Sequence, residues 1–121
     1  MRKLLLSLAM IASYATAIWA VPAPVNVHWD NDTLRWELPE LTNDSVYGGI
    51  HLTLFTQSGD QISTIGTSVR TSYDFSSYFY KGRTYYAKVS SYAKPGEIYS
   101  AEVVSPEYTV PGVRDTLVVP G

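Results

Sequence analysis

No cysteine occurs in the 121 residues, which removes disulfide staples, thiol nucleophiles and cysteine-ligated zinc. Histidine is almost as scarce. His28 and His51 are the two, and neither belongs to an H-x-H or H-E-x-x-H arrangement, so no metal centre is expected. There is no G-x-S-x-G elbow and no Ser/His/Asp set, which leaves serine-nucleophile hydrolysis without its parts, and no pattern around the acidic residues recommends a glycosidase-like pair. Asp30 and Asp32 flank a turn, but no D-x-D-x-D-G loop with a closing glutamate follows, so calcium is not implied. An R-G-D tripeptide is missing too, since Ser58-Gly59-Asp60 lacks the arginine. Beyond residue 20, helical periodicity is absent, and so is any apolar run long enough for a bilayer. The chain reads as a non-enzyme without cofactor.

What is present begins with an export signal over residues 1–20. Arg2 and Lys3 give a positive start, and residues 4–12 form an apolar run interrupted only by Ser7. Ala15-Thr16-Ala17 and Ile18-Trp19-Ala20 each offer a small-residue cleavage pattern, placing the cut after Ala17 or Ala20. The run is too short for a membrane span, so the protein is expected to be secreted and extracellular. Loss of this leader takes two of the nine basic residues and none of the eleven acidic ones, moving the net charge from −2 to −4. That balance opposes a nucleic-acid partner, which needs a basic stripe to displace counterions.

The remaining hundred or so residues suffice for one two-layer core without disulfides. Val25, Val27 and Trp29 alternate with Asn26 and His28. After the turn formers Asp30-Asn31-Asp32, Leu34, Trp36 and Leu38 alternate until Pro39 stops the strand. Residues 41–49 read as a polar connection. Residues 50–55 form the next strand, with Ile50, Leu52 and Leu54 facing inward. A turn at Gln57-Ser58-Gly59-Asp60 leads to a marginal strand over residues 61–65. Tyr73 and Phe75 follow, then a tight corner built on Gly82. Tyr85, Ala87, Val89 and Ser91 share one face of a strand over residues 84–92. Lys94-Pro95-Gly96-Glu97 is a turn, and a last strand over residues 99–104 and 107–110 is broken by Pro106, as an edge strand tolerates. Strands punctuated about every 8–12 residues predict an all-β, seven-stranded antiparallel sandwich over residues 21–110. Residues 111–121 read as a loose tail, although Leu117-Val118-Val119 has the composition of a further strand.

These residues resemble a fibronectin type III domain, within the immunoglobulin-like sandwiches. Pro22-x-Pro24 leads into the first strand. Trp36 with Pro39 is similar to the family's W-x-x-P, and Thr71-Ser72-Tyr73-x-Phe75 to its T-S-Y-x-L. The segment from Phe79 through Tyr80-Lys81-Gly82-Arg83-Thr84 to Tyr85 follows its L-x-P-G-T-x-Y corner, and Tyr85-x-Ala87-x-Val89-x-Ser91 its Y-x-x-x-V-x-A strand. The likeness covers residues 22–110. Lys81 stands where the family has proline, and Ser91 near a small apolar position. The resemblance implies that the Tyr85 hydroxyl ties the corner to nearby backbone. It also implies that Trp36 fills the space between the sheets, where truncation would cost about 3 kcal/mol or more.

With no catalytic set, the resemblance points to a monomeric module that binds a protein or a cell-surface or matrix component. The expected binding loop is Lys94, Glu97, Ile98 and Tyr99, because sandwich end-loops present side chains without disturbing the core. An alternative is a carbohydrate-binding module, for which at least two of Phe55, Tyr80, Tyr86 and Tyr92 should lie coplanar on one exposed face. The plainer account of Tyr80 and Tyr86 is that they blunt an open sheet face or an edge. Two N-x-[ST] sequons begin at Asn31 and Asn43, both in expected turns or connections where glycosylation can reach.

Overall fold

The computed structural model describes residues 21–41 and 45–113. The expected leader, the Asn43 sequon and most of the 111–121 tail lie outside the described residues. Strands β1 (Val25–Asp30) and β2 (Thr33–Glu37) form a hairpin closed by Asn31 and Asp32. Asn31 supplies a left-handed φ of 56°, a conformation that asparagine accepts more readily than most residues. The expected alternation holds for Val27 and Trp29, which pack on the core, but not for Val25, which is 46% exposed. The cause is a break in register between Val25 and His28. Asn26 takes a φ of 54° there, and one irregular residue re-aims everything before it.

Strands β3 (Val46–Thr56) and β4 (Gln61–Thr67) form the second hairpin. Both are longer than the sequence pattern predicts. Then come β5 (Ser72–Asp74), a single 3-10 turn at Ser76–Tyr78, and β6 (Thr84–Lys94). The last elements among the described residues are three two-residue segments, β7 (Ile98–Tyr99), β8 (Val103–Val104) and β9 (Tyr108–Thr109), all paired with β6. Two antiparallel sheets result. One has the order β1-β2-β5, and the other runs β4-β3-β6 with β7, β8 and β9 strung along the far side of β6.

The two sheets pack face to face. Leu34, Trp36 and Phe75 on one side meet Ile50, Leu52, Leu54, Tyr85, Ala87 and Val89 on the other, all buried. Trp36 is 2% exposed, and its indole N–H donates to the Arg70 carbonyl at 2.9 Å. Trp29 donates to the Pro106 carbonyl at 2.8 Å and stacks on Tyr108 at 5.1 Å, so it ties the first strand to the last segments. Phe75 is fully buried, with the rings of Trp29, Tyr73, Tyr78 and Phe79 around it at 4.9–6.2 Å. Such pairs add about 0.5–1.5 kcal/mol each beyond simple burial. The Tyr108 hydroxyl donates to Asp32 at 2.9 Å, and burial together with that carboxylate pushes its pKa up to about 12.

At the corner, Gly82 has a φ of 74°, which a side chain would resist. Its N–H donates to the Val110 carbonyl at 2.8 Å, and Val110 N–H returns to Arg83 at 2.9 Å. The buried Tyr85 hydroxyl accepts the Tyr80 N–H at 3.0 Å. Replacing Tyr85 by Phe keeps the ring and orphans that N–H. The expected result is a loss of about 1 kcal/mol in urea unfolding with the slope unchanged. A variant as stable as the parent would show the bond to be dispensable.

The interruptions of the last strand are patched by serine. Ser100 N–H donates to the Ser91 carbonyl at 2.8 Å, while its Oγ accepts the Ser91 N–H at 3.0 Å. Ser105 repeats the exchange with Ala87, at 2.8 and 2.9 Å. In both places a hydroxyl replaces the carbonyl that a regular ladder would offer. Each hydroxyl proton then goes to the carbonyl of the following residue, Ala101 or Pro106. No buried side-chain polar atom among the described residues is left without a partner, as a native core requires.

Candidate functional site

The outward face of the β4-β3-β6 sheet follows directly from register. Ile50, Leu52 and Leu54 point inward, so His51, Thr53 and Phe55 point out. Opposite them on β6 stand Ser90, Lys88 and Tyr86, and one step further Tyr92 faces Gly49. Tyr99 of β7 lies beside Tyr92 on its other side.

Tyr92 is laid across backbone. A Cβ built on Gly48 would come within 2.5 Å of its ring, and one on Gly49 within 2.7 Å. The glycine pair therefore lets the ring settle onto β3, where the expected polar connection is strand from Val46 onward, paired with β6. On the opposite side of β3, His51 is paired with Gly66 of β4. A Cβ on Gly66 would meet nothing within 4 Å. The Tyr92 ring seated on Gly48 and Gly49, and the position left empty at Gly66, together shape a trench across the sheet. Its volume is about 430 Å³, and its lining is Gly48, Ile50, His51, Gly66, Thr67, Ser68, Tyr92 and Tyr99. This size falls in the range of small-ligand sites.

The walls are aromatic. Tyr92 and Tyr99 have centroids 5.1 Å apart with planes 43° to each other, and His51 meets Tyr99 edge-on at 6.4 Å. Tyr99 is 52% exposed. The hydroxyls of Tyr47, Tyr85 and Tyr108 are consumed in bonds that hold the fold. Those of Tyr92 and Tyr99 enter no such bond among the described residues. No carboxylate, lysine or arginine lines the trench.

Of the four loop residues expected to bind, Tyr99 reaches this trench. Lys94 and Glu97 sit around the adjoining turn, where with Val46, Pro95 and Gly96 they line an open depression of about 630 Å³. Ile98 is half-buried in β7 opposite Ala93, so it belongs to the sheet more than to the presenting loop. The four aromatics of the sugar-binding alternative are divided. Tyr92 is in the trench. Phe55 and Tyr86 stack at 5.1 Å with planes 9° apart, and Lys88 Nζ lies 5.0 Å from the Phe55 ring. At that separation the parallel rings form an offset stack, one plane above the other, instead of one broad platform. Tyr80 is on the Gly82 corner, 64% exposed, with the Arg83 guanidinium 5.8 Å from its ring. Asn31 of the first sequon is exposed at its hairpin tip.

His28 is exposed, with Nδ1 2.7 Å from the Asn26 carbonyl. Among the described residues no group of three His, Asp or Glu side chains is placed to hold a metal ion. No helix there is long and apolar enough to cross a membrane. Sequence reasoning did not find His51, Gly48, Gly49 or Gly66 as site residues. The available signal was glycine inside a strand, which marks a bulge or a close approach. Compared with known proteins, the chain matches no family model, no curated protein and no solved structure.

Proposed function

We propose that this chain is a secreted, non-catalytic β-sandwich module of fibronectin type III or immunoglobulin-like type. It binds a protein or a cell-surface or matrix component through the outward face of the β4-β3-β6 sheet. Counting β7, β8 and β9 as one interrupted strand makes seven strands, in keeping with that family. The Tyr85 hydroxyl bond across a corner built on Gly82 is the kind of tie that the resemblance implies. One observation carries the binding role: an aromatic-walled trench with unengaged hydroxyls adjoins the exposed β6–β7 turn.

The test is capture of the ligand from extracellular matrix extract on immobilised protein, with Tyr99→Ala as the comparison. Tyr99 is half exposed, so its truncation spares the fold, and capture should fall by about tenfold, as for an aromatic anchor. Capture undiminished by Tyr99→Ala would remove the binding face from this end of the sheet. The carbohydrate-binding reading has one specific support, the Tyr92 ring spread over the Gly48-Gly49 backbone with Tyr99 beside it.

A further inference from the structure

We infer that the trench takes an uncharged glycan lying across the strands, with Tyr92 and Tyr99 as its stacking walls and His51 and Ser68 as polar groups along it. This inference rests on the binding role proposed above and names its ligand class. Three features of the site select that class. The lining contains no charged side chain, so an ionic ligand would lose hydration and gain no partner. Two tyrosines supply ring faces with hydroxyls at their rims, which suits a ligand that is apolar on its flat face and polar at its edge. The floor runs from Tyr99 on β7 across β6 and β3 to Gly66 on β4. That path crosses three strand spacings, about 14 Å, so it accommodates a few linked rings in an extended chain.

Glycine decides where the ligand lies. Gly66 has no side chain and open space above it, and its backbone is not in the left-handed region reserved for glycine. Any β-branched residue there would stand in the trench without disturbing the fold. The site is therefore open because one strand position is left empty, directly beside His51.

The experiment titrates the protein with the neutral tetrasaccharides of cellulose, xylan and mannan, with acidic tetragalacturonate and with a proline-rich decapeptide. Amide chemical shifts are followed by NMR. At least one neutral tetrasaccharide should bind more tightly than about 1 mM, with shifts centred on His51, Gly66, Tyr92 and Tyr99. Gly66→Val should weaken that binding by about tenfold or more while its melting temperature stays at or above the parent's, since valine favours strand. Tyr92→Ala should weaken it similarly. Three results would overturn the inference: no neutral sugar binding, preference for the acidic sugar, or equal sugar affinity in Gly66→Val. Decapeptide binding in the trench without sugar binding would also overturn it, yet leave the wider binding role standing, since aromatic grooves serve extended peptides too. Failure of the wider role has a separate signature, namely matrix capture unaffected by Tyr99→Ala.

Discussion

Phe75→Ala should remove about 4 kcal/mol of stability, more than half of what a weakly stable domain possesses. Phe75 is fully buried at the point where both layers and the 3-10 turn converge. Its ring is packed against Trp29, Tyr73, Tyr78 and Phe79. Alanine would leave a cavity ringed by stiff aromatic side chains, which collapse poorly into empty space. The backbone contributes as well, because Phe75 N–H donates to the Asp32 carbonyl and its own carbonyl accepts from Tyr78 N–H. Those bonds need no side chain and should survive in the variant. Guanidinium unfolding of Phe75→Ala beside Phe75→Leu separates cavity from contact. Leucine should recover the larger part of the loss, and an alanine variant within 1.5 kcal/mol of the parent would deny Phe75 its central place.

The second large effect is expected at Gly49. A Cβ there would lie 2.6 Å from the Thr67 carbonyl oxygen and 2.7 Å from both ring carbon and hydroxyl of Tyr92. The tyrosine can swing aside, but the carbonyl belongs to the neighbouring strand and cannot yield without parting β3 from β4. Gly49→Val should therefore cost about 3 kcal/mol, the upper range for overpacking. It should also perturb the Tyr92 ring, visible in its proton shifts. Set beside Gly66→Val, this is a controlled comparison. Both substitutions put the same side chain into the same sheet, one into contact and one into open space. Equal stabilities for the two variants would refute the geometry assigned to the trench floor.

Strand phase was legible in the sequence wherever one face is dry. Leu34 with Trp36, then Ile50, Leu52 and Leu54, then Tyr85, Ala87, Val89 and Ser91 all lie inward as their alternation requires. Burial imposes a two-residue period, and a slip of one would send each of these side chains into water. The irregularities were hidden because they are events of the backbone. Nothing about Val25 distinguishes it from Val27; the left-handed φ of Asn26 between them does. Nothing in the sequence marks Ser100 or Ser105, yet the hydroxyl of each stands in for a peptide carbonyl. Pro106 signalled one break, and the other had no proline to announce it.

The trench was harder to foresee for a different reason. It is built from what Gly48, Gly49 and Gly66 lack, on strands whose mutual register only the folded sheet defines. The expected loop was legible, since Lys94-Pro95-Gly96-Glu97 is turn chemistry on its face. That Tyr99 belongs with Tyr92 and His51 depends on pairing between three strands.

The serine-patched end of the sheet has a consequence for the protein in concentrated solution. A sheet border with long stretches of unsatisfied amides invites another molecule to dock alongside. Here β7, β8 and β9 offer only two residues at a time, and Ser100 and Ser105 turn their polar atoms back toward β6 and the adjoining carbonyls. An incoming chain finds no continuous template on that flank, so growth of a fibre by edge pairing is disfavoured there, and within this sheet the longer border it could use is β4.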